Sequence, residues 1–370
     1  MLVVAASVVV AVGTVTGMIK ALDDGSGADS ARRPDATGAT LLVPLPEVPS
    51  ASNSPSAKAS SSARPKKTAT TGTARKPRRT ATAAPRLYRH PESQVLDWVR
   101  DHPDDPRTEV IADRIADQPA AVWFADFTPS TITSRVRAVT SGAAAQGRVP
   151  VVVPYAIPDR DCGGASEGGA SDFAVYDGWI DNFAAGLGSR EVVVILEPDS
   201  IAQADCLDDT QRAERFEALA RAGRVMKAAD PQARVYYDAG HSDWNPAGQQ
   251  AALLKQAGAA SAESSDGIFS NVSNFHTTSA EIAYDRQVLD ALGGPADLGA
   301  VIDTSRNGNG APADGQWCDP AGRKIGRAPT LNTGEDRIDG YLWVKLPGES
   351  DGCKGAAGTF TASYAYDLAR

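Results

Sequence analysis

From about residue 88 onward the chain repeats one pattern: a short apolar run, a polar turn, then an Ala-rich amphipathic stretch. Seven apolar runs read as strands: "AVWFADF" (121–127), "RVPVVVPY" (148–155), "EVVVIL" (191–196), "ARVYYDA" (233–239), "GIFSNVS" (267–273), "LGAVIDT" (298–304) and "GYLWVKL" (340–346). Helical periodicity falls between them, as over Ser130 to Gln146, Thr210 to Ala229 and Pro246 to Gln256. Val- and Ile-rich runs alternating with helices predict βαβ units and a parallel sheet covered on both faces. Seven such strands over this length favour a barrel over an open sheet. The expected class is therefore α/β, a parallel (β/α) barrel of about seven strands. Residues 305 to 339 are rich in Gly, Pro and Asn without a helical period, which predicts a long functional loop.

The chain ahead of this pattern reads differently. Leu2 to Ile19 is an uncharged, mostly apolar run of 18 residues, at the border between a signal-peptide core and a membrane span. Residues 1–22 are accordingly expected to be a signal peptide or a membrane anchor. Residues 23–87 are expected to be a disordered Ser/Thr/Pro/Lys/Arg-rich linker, because they offer too little apolar surface to offset the entropy of ordering. Residues 88–370 form the folded domain. The body of the protein is expected to be secreted or extracellular, with membrane tethering through residues 2–19 if that segment is retained, and to be a monomer.

Charge narrows the ligand class. Residues 1–90 carry a net +8 and residues 91–370 a net −17. An acidic body disfavours nucleic acid, whose phosphates need a basic footprint, and points to a neutral polymer or small molecule. The four cysteines, Cys162, Cys206, Cys318 and Cys353, make an even count in an exported chain, which suggests two disulfides. Three pairings are possible. Cys162 and Cys206 each lie shortly after a strand candidate and meet if those strands are neighbours, which leaves Cys318 with Cys353. Neither these cysteines nor His90, His102, His241 and His276 show metal-ligand spacing, so no metal is expected.

Polar side chains collect where the strands end. Tyr155 and Asp161, Glu197 and Asp199, Asp238 and His241, Asn271 and Asn274, Asp303 and Arg306, and Lys345, Glu349 and Asp351 all fall at or just after strand candidates. In a parallel α/β fold these ends converge on one mouth. Carboxylates crowded into a partly dry cleft raise one another's pKa, so one acid keeps its proton beside ionised neighbours. Glycoside hydrolysis requires that combination. A Mg²⁺ or Ca²⁺ reading of the same aspartates is disfavoured, because there is no phosphate-cradling glycine loop and Lys345, Arg160 and Arg306 already supply positive charge. Trp123, Trp244 and Trp317 offer flat indole faces suited to pyranose rings. Trp98 is expected in the core; Trp343 fits either role.

Seven segments carry a resemblance. "YAIPDRDCGGASEGGA", "VVVILEPDSIA", "YYDAGHSDW", "NVSNF", "VIDTSRNGNG", "WCDPAGRKIG" and "LWVKLPGESDGC" follow the order and spacing of glycoside hydrolase family 6, the inverting cellulases, from about Trp123 to Arg370. The resemblance implies a distorted parallel α/β barrel that cleaves β-1,4-glucan with inversion and without a cofactor. It makes Asp199 the general acid, Asp161 the residue that keeps it protonated, Ser166 a water-positioning serine and Asp351 the proposed base. Tyr155 presses on the distorted sugar, and Trp123, Trp244 and Trp317 are subsite platforms. His241, Asn271, Asp303, Lys345 and Glu349 contact flanking glucose units, and Asp238 and Arg306 are placed with this substrate-binding set. The two cysteine pairs above are also the pairs of the family. The short segments after Cys162 and Asp351 leave little chain for a roof, which favours an open cleft and endoglucanase action. Two departures stand out: "GTFTASYAYDLAR" lacks a tryptophan that many relatives carry, and Glu167 follows Ser166 where a small residue is common. Residues 1–86 contain no aromatic residue, so no separate cellulose-binding module is expected.

Overall fold

A computed structural model describes residues 86–370. The leader and almost all of the linker expected over residues 1–87 lie outside the described residues. Leu87, assigned above to the last linker position, belongs to the body: it is buried and bridges Val149.

All seven expected strands form. They are β1 (Val122–Phe124), β2 (Val151–Pro154), β3 (Val192–Leu196), β4 (Ala233–Asp238), β5 (Gly267–Ser270), β6 (Gly299–Asp303) and β7 (Ile338–Leu342). Each pairs in parallel with the next in chain order, giving one sheet β1-β2-β3-β4-β5-β6-β7. The sheet curls until its edges approach, and Ala121 N donates to Trp343 O at 2.9 Å across the seam. No ladder joins β1 to β7 among the described residues, which is the distortion of the barrel. The last strand sits earlier than expected, because Trp343 to Leu346 already belong to the mouth.

Among the described residues eight α-helices accompany the strands: α1 (Gln94–Asp101), α2 (Thr108–Ile111), α3 (Ile132–Ala145), α4 (Phe173–Ala184), α5 (Asp209–Ala229), α6 (Ala247–Gln256), α7 (Thr278–Leu292) and α8 (Ala362–Ala369). Asp208 caps α5 in a reciprocal box with Gln211, which satisfies orphan amides of its first turn.

Side chains alternate across the sheet with the strand period of two. Val151, Val153, Val193, Ile195, Tyr236, Phe269, Val301 and Leu342 fill the barrel interior. Their neighbours Val152, Val194, Leu196, Val235, Tyr237, Ile268, Ala300 and Ile302 pack outward against the helices. Both faces are buried, which is why the strands read as continuous apolar runs. At β5 a Cβ on Gly267 would stand 1.8 Å from Gly299 O, so only glycine permits this approach to β6. Trp343 is 2% exposed and packs with α1, α2 and α8, while Trp98 is half-buried on the margin of that cluster.

Candidate active site

A cleft of about 1350 Å³ opens at the C-terminal ends of the strands. Its floor is built from turns in strained backbone. Glu197, Asp199, Asp161 and Cys162 have φ of 48°, 67°, 56° and 48°, and Asn271 and Ser273 have 63° and 58°. Left-handed non-glycine residues cost on the order of 1 kcal/mol each and persist only where surroundings fix them.

For the β3 turn those surroundings are carboxylates. Glu197, fully buried, accepts from Ala156 N at 2.9 Å and Ile157 N at 3.1 Å, so it ties the end of β3 to the segment leading to Asp161. Asp238 accepts from Ile201 N at 3.0 Å, Ala202 N at 2.8 Å and Gly240 N at 2.9 Å, fixing the other side of the same turn. Asp199 is thereby aimed into the cleft between them. Burial first, then the charges of Asp238 and Asp161, push its carboxyl up to about 8, against a smaller opposing pull from Lys345. Asp238, buried in the wall, therefore acts beside Asp161 in holding the proton on Asp199.

Asp161 faces the same cleft and accepts from Ser166 N at 2.7 Å, which folds the intervening loop back on itself. The Cys162–Cys206 disulfide anchors that loop, and the Cys318–Cys353 disulfide anchors the Asp351 loop. Tyr155 stands edge-on to Trp123, their centroids 5.2 Å apart, beneath the guanidinium of Arg160 at 4.6 Å. Arg160 donates to Ser166 O, Ala125 O and Tyr155 O, linking loop to wall. Burial, followed by the Asp199 and Asp161 charges, keeps the Tyr155 phenol protonated.

Asp351 is held on both oxygens. Arg306 Nη1 lies 2.7 Å from Oδ2, which also accepts from Asp319 N at 3.1 Å, and Lys345 Nζ lies 3.3 Å from Oδ1. Asp319, which lies in "WCDPAGRKIG" but was assigned no role there, accepts from Ser350 Oγ at 2.6 Å, Asp351 N at 2.8 Å, Cys353 N at 3.0 Å and Lys354 N at 2.8 Å. Although burial opposes it, these bonds hold the Asp319 carboxyl below its ordinary range. Its sequence signal was its place in "WCDPAGRKIG", directly after Cys318. Glu349 is pushed up to about 7 by burial, with Lys345 opposing.

Eleven of the expected residues share the cleft: Tyr155, Asp161, Ser166, Asp199, Trp123, His241, Trp244, Trp317, Lys345, Glu349 and Asp351. Four do not line it. Asp238, Asn271, Asp303 and Arg306 are at most 1% exposed and spend their polar atoms within the wall, which corrects their placement as glucose contacts. Asp303 accepts from Ser273 N, Ser305 N and Lys345 N; Asn271 bonds His276 and Asp303; Arg306 holds Asp351 and donates to Ser273 O. His276 joins the cleft instead, stacked on His241 with centroids 4.2 Å apart. Burial and this pairing lower the His241 imidazole to about 4, so the pair is neutral near pH 7. Trp317 is 58% exposed, a flat face open to solvent. The loops after Asp161 and Asp351 draw together at one point, where a Cβ on Gly352 would stand 3.8 Å from that of Ala165.

A parallel α/β barrel with a protonated aspartate, further carboxylates and indole faces in its mouth is the architecture of an acid–base glycoside hydrolase. The profile of glycosyl hydrolases family 6 matches residues 78–369, and the chain belongs to that family. It is 53% identical over 291 residues to Endoglucanase 1 of Streptomyces sp. (strain KSM-9), covering 78% of this chain and 79% of that one. It is 49% identical over 284 residues to Endoglucanase A of Thermobispora bispora, covering 76% of this chain and 61% of that longer one. The endoglucanase Cel6 from Mycobacterium tuberculosis, solved in complex with methyl-cellobiosyl-4-deoxy-4-thio-β-D-cellobioside, superposes with a TM-score of 0.71. It shares 39% sequence identity, and the match covers 77% of this chain and 97% of that one.

Proposed function

We propose that the protein is an endo-acting, inverting β-1,4-glucanase whose general acid is Asp199. The observation that carries the reading is the Asp199 carboxyl itself, aimed into the cleft and pushed up to about 8. An acid of that kind still holds its proton at neutral pH and delivers it to the leaving glycosidic oxygen. Asp161 tunes and orients this acid, and through Ser166 N it shapes the loop beside the attacking water. Asp351, with both oxygens engaged by cations, is better placed to receive the water's proton through a second water than by direct contact.

Trp123, Trp244 and the exposed Trp317 are assigned as sugar platforms, Tyr155 as the residue pressing on the distorted ring, and His241, Lys345 and Glu349 as hydroxyl contacts. Endo action is supported by the short loops flanking Asp161 and Asp351 and by relatives of about half identity that are named endoglucanases. Two disulfides support an exported body, in which residues 1–22 direct export or anchor the chain and residues 23–86 are the spacer. Asp199→Asn tests the assignment: the variant folds but releases reducing ends from carboxymethyl cellulose at least about 100-fold more slowly. Near-normal activity in that variant sinks it.

A further inference from the structure

Behind the turn that carries His241 and Trp244 lies a pair of carboxyls with no place in the chemistry above. Glu281 and Asp285 stand one turn apart on α7, both completely buried. Glu281 Oε1 accepts from Ser242 N at 3.0 Å, and Asp285 Oδ2 accepts from the Ser270 hydroxyl at 3.0 Å. Tyr284, between them in sequence, donates from its hydroxyl to Ala239 O at 3.0 Å. Three side chains of α7 therefore grip the ends of β4 and β5. The second oxygen of each carboxyl, Glu281 Oε2 and Asp285 Oδ1, is buried without a partner.

Residues four apart on a helix are neighbours, so two ionised carboxylates here would repel in a medium that screens poorly. Among the described residues, no cation packed against α7 offsets that repulsion; only the Ser242 and Ser270 hydrogen bonds favour the anions. β5 has no ionisable residue, the sole one on α6 is the exposed Lys255, and the sole one on β6 is Asp303, already bonded to three backbone amides. On α7 itself Arg286 pairs with Glu335, and Asp290 with Arg337. Asp238, at the end of β4, adds only like charge, and His241 is held neutral. One proton kept on the pair removes one of the two charges and turns a buried acceptor into a donor.

We propose that Glu281 and Asp285 hold one proton between them and act as a positioning pair, locking the Ser242 turn that presents His241 and Trp244 to the glucan. The inference rests on the reading of those two side chains as glucan contacts. Burial raises both carboxyls above their ordinary range, and for Asp285 the neighbouring Glu281 charge adds to it. Loss of the proton with rising pH leaves two buried anions, loosens the turn and weakens glucan binding, whereas bond cleavage at Asp199 responds through its own proton.

The test uses the full chain as wild type, E281Q, D285N and E281A, with kcat and KM measured on the neutral substrate cellohexaose from about pH 5 to about pH 9. The Tm of the glucan-free protein is followed over the same range. The wild-type KM rises about tenfold toward alkaline pH, equivalent to the 1.4 kcal/mol of one net hydrogen bond. In E281Q and D285N, whose amides donate without titrating, KM stays flat and the alkaline decline in Tm is shallower. In E281A, KM is raised at every pH. A wild-type KM that does not vary with pH overturns the proposal, as do KM profiles of both amide variants that overlay the wild type. Either amide variant that folds is sufficient, because the two restore the same bridge from opposite ends. Failure of the glucanase reading is distinguishable: the wild type then turns over no cellohexaose, and Tm profiles unchanged by E281Q and D285N overturn the shared proton independently.

Discussion

At the scale of single residues, the outcome turns on which way a strand-end side chain points. Asp199 and Asp238 both end a β-strand in an acidic turn, yet one faces the cleft and the other is spent on Ile201, Ala202 and Gly240 amides. The Asp238 charge, after burial, helps to raise the Asp199 carboxyl. With that carboxyl pushed up to about 8, the acid is protonated below this pH and lost above it. We therefore expect kcat on soluble glucan to fall as pH rises through about 8, tenfold per unit beyond it, with the limb absent in the residual activity of Asp199→Asn. An alkaline limb that is unchanged in Asp199→Asn contradicts the assignment. The motif "EPDS" made Asp199 legible because a buried strand rarely ends in paired acids. The inward turning of Asp238, Asn271, Asp303 and Arg306 was not legible. Strand periodicity predicts orientation only as far as the last paired residue, and each of these sits at or beyond that point.

At the scale of elements, the loops are held by side chains rather than by ladders. The segment between β6 and β7 has no period to read, so Asp319 was visible only as part of "WCDPAGRKIG" and without a role, although its four acceptor bonds organise the whole Asp351 turn. Asp319→Ala leaves four donors without their acceptor. It is expected to lower stability by at least about 2 kcal/mol in urea titration and to reduce kcat more than it raises KM. Removing the Cys318–Cys353 bridge, with a separation of 35 residues, lengthens the free loop around the same turn; the loop-entropy estimate is about 4 kcal/mol. A C318S/C353S variant with unchanged Tm would show that the Asp319 bonds suffice alone. The seven strands, by contrast, were legible from their Val and Ile runs, because burial on both faces leaves no polar interruption.

At the scale of the whole molecule, stability and chemistry share their pH dependence. Glu197 is pushed up to about 7 and Asp199 to about 8, both chiefly by burial. A carboxyl whose pKa is raised on folding binds its proton more tightly in the folded state. Its stabilising contribution is complete below the ordinary carboxylate pKa of about 4 and is lost as pH rises through the folded value. Asp319 and Asp172, held below their ordinary range, work oppositely, their contribution being lost only in stronger acid. The Tm is thus expected to be highest in mildly acidic solution and lower at about pH 9 than at about pH 5, with Glu197→Gln flattening part of that slope. A Tm that rises over this interval is incompatible with the buried acids described.

Cleavage of internal β-1,4 bonds by direct displacement, with Asp199 as acid, is tested by digesting cellohexaose under NMR and reading the anomeric protons before mutarotation. The expected products are α-anomers, including cellotriose from internal cleavage, with none formed at a comparable rate by Asp199→Asn. Initial β-anomers, or cellobiose released only from chain ends, would contradict it.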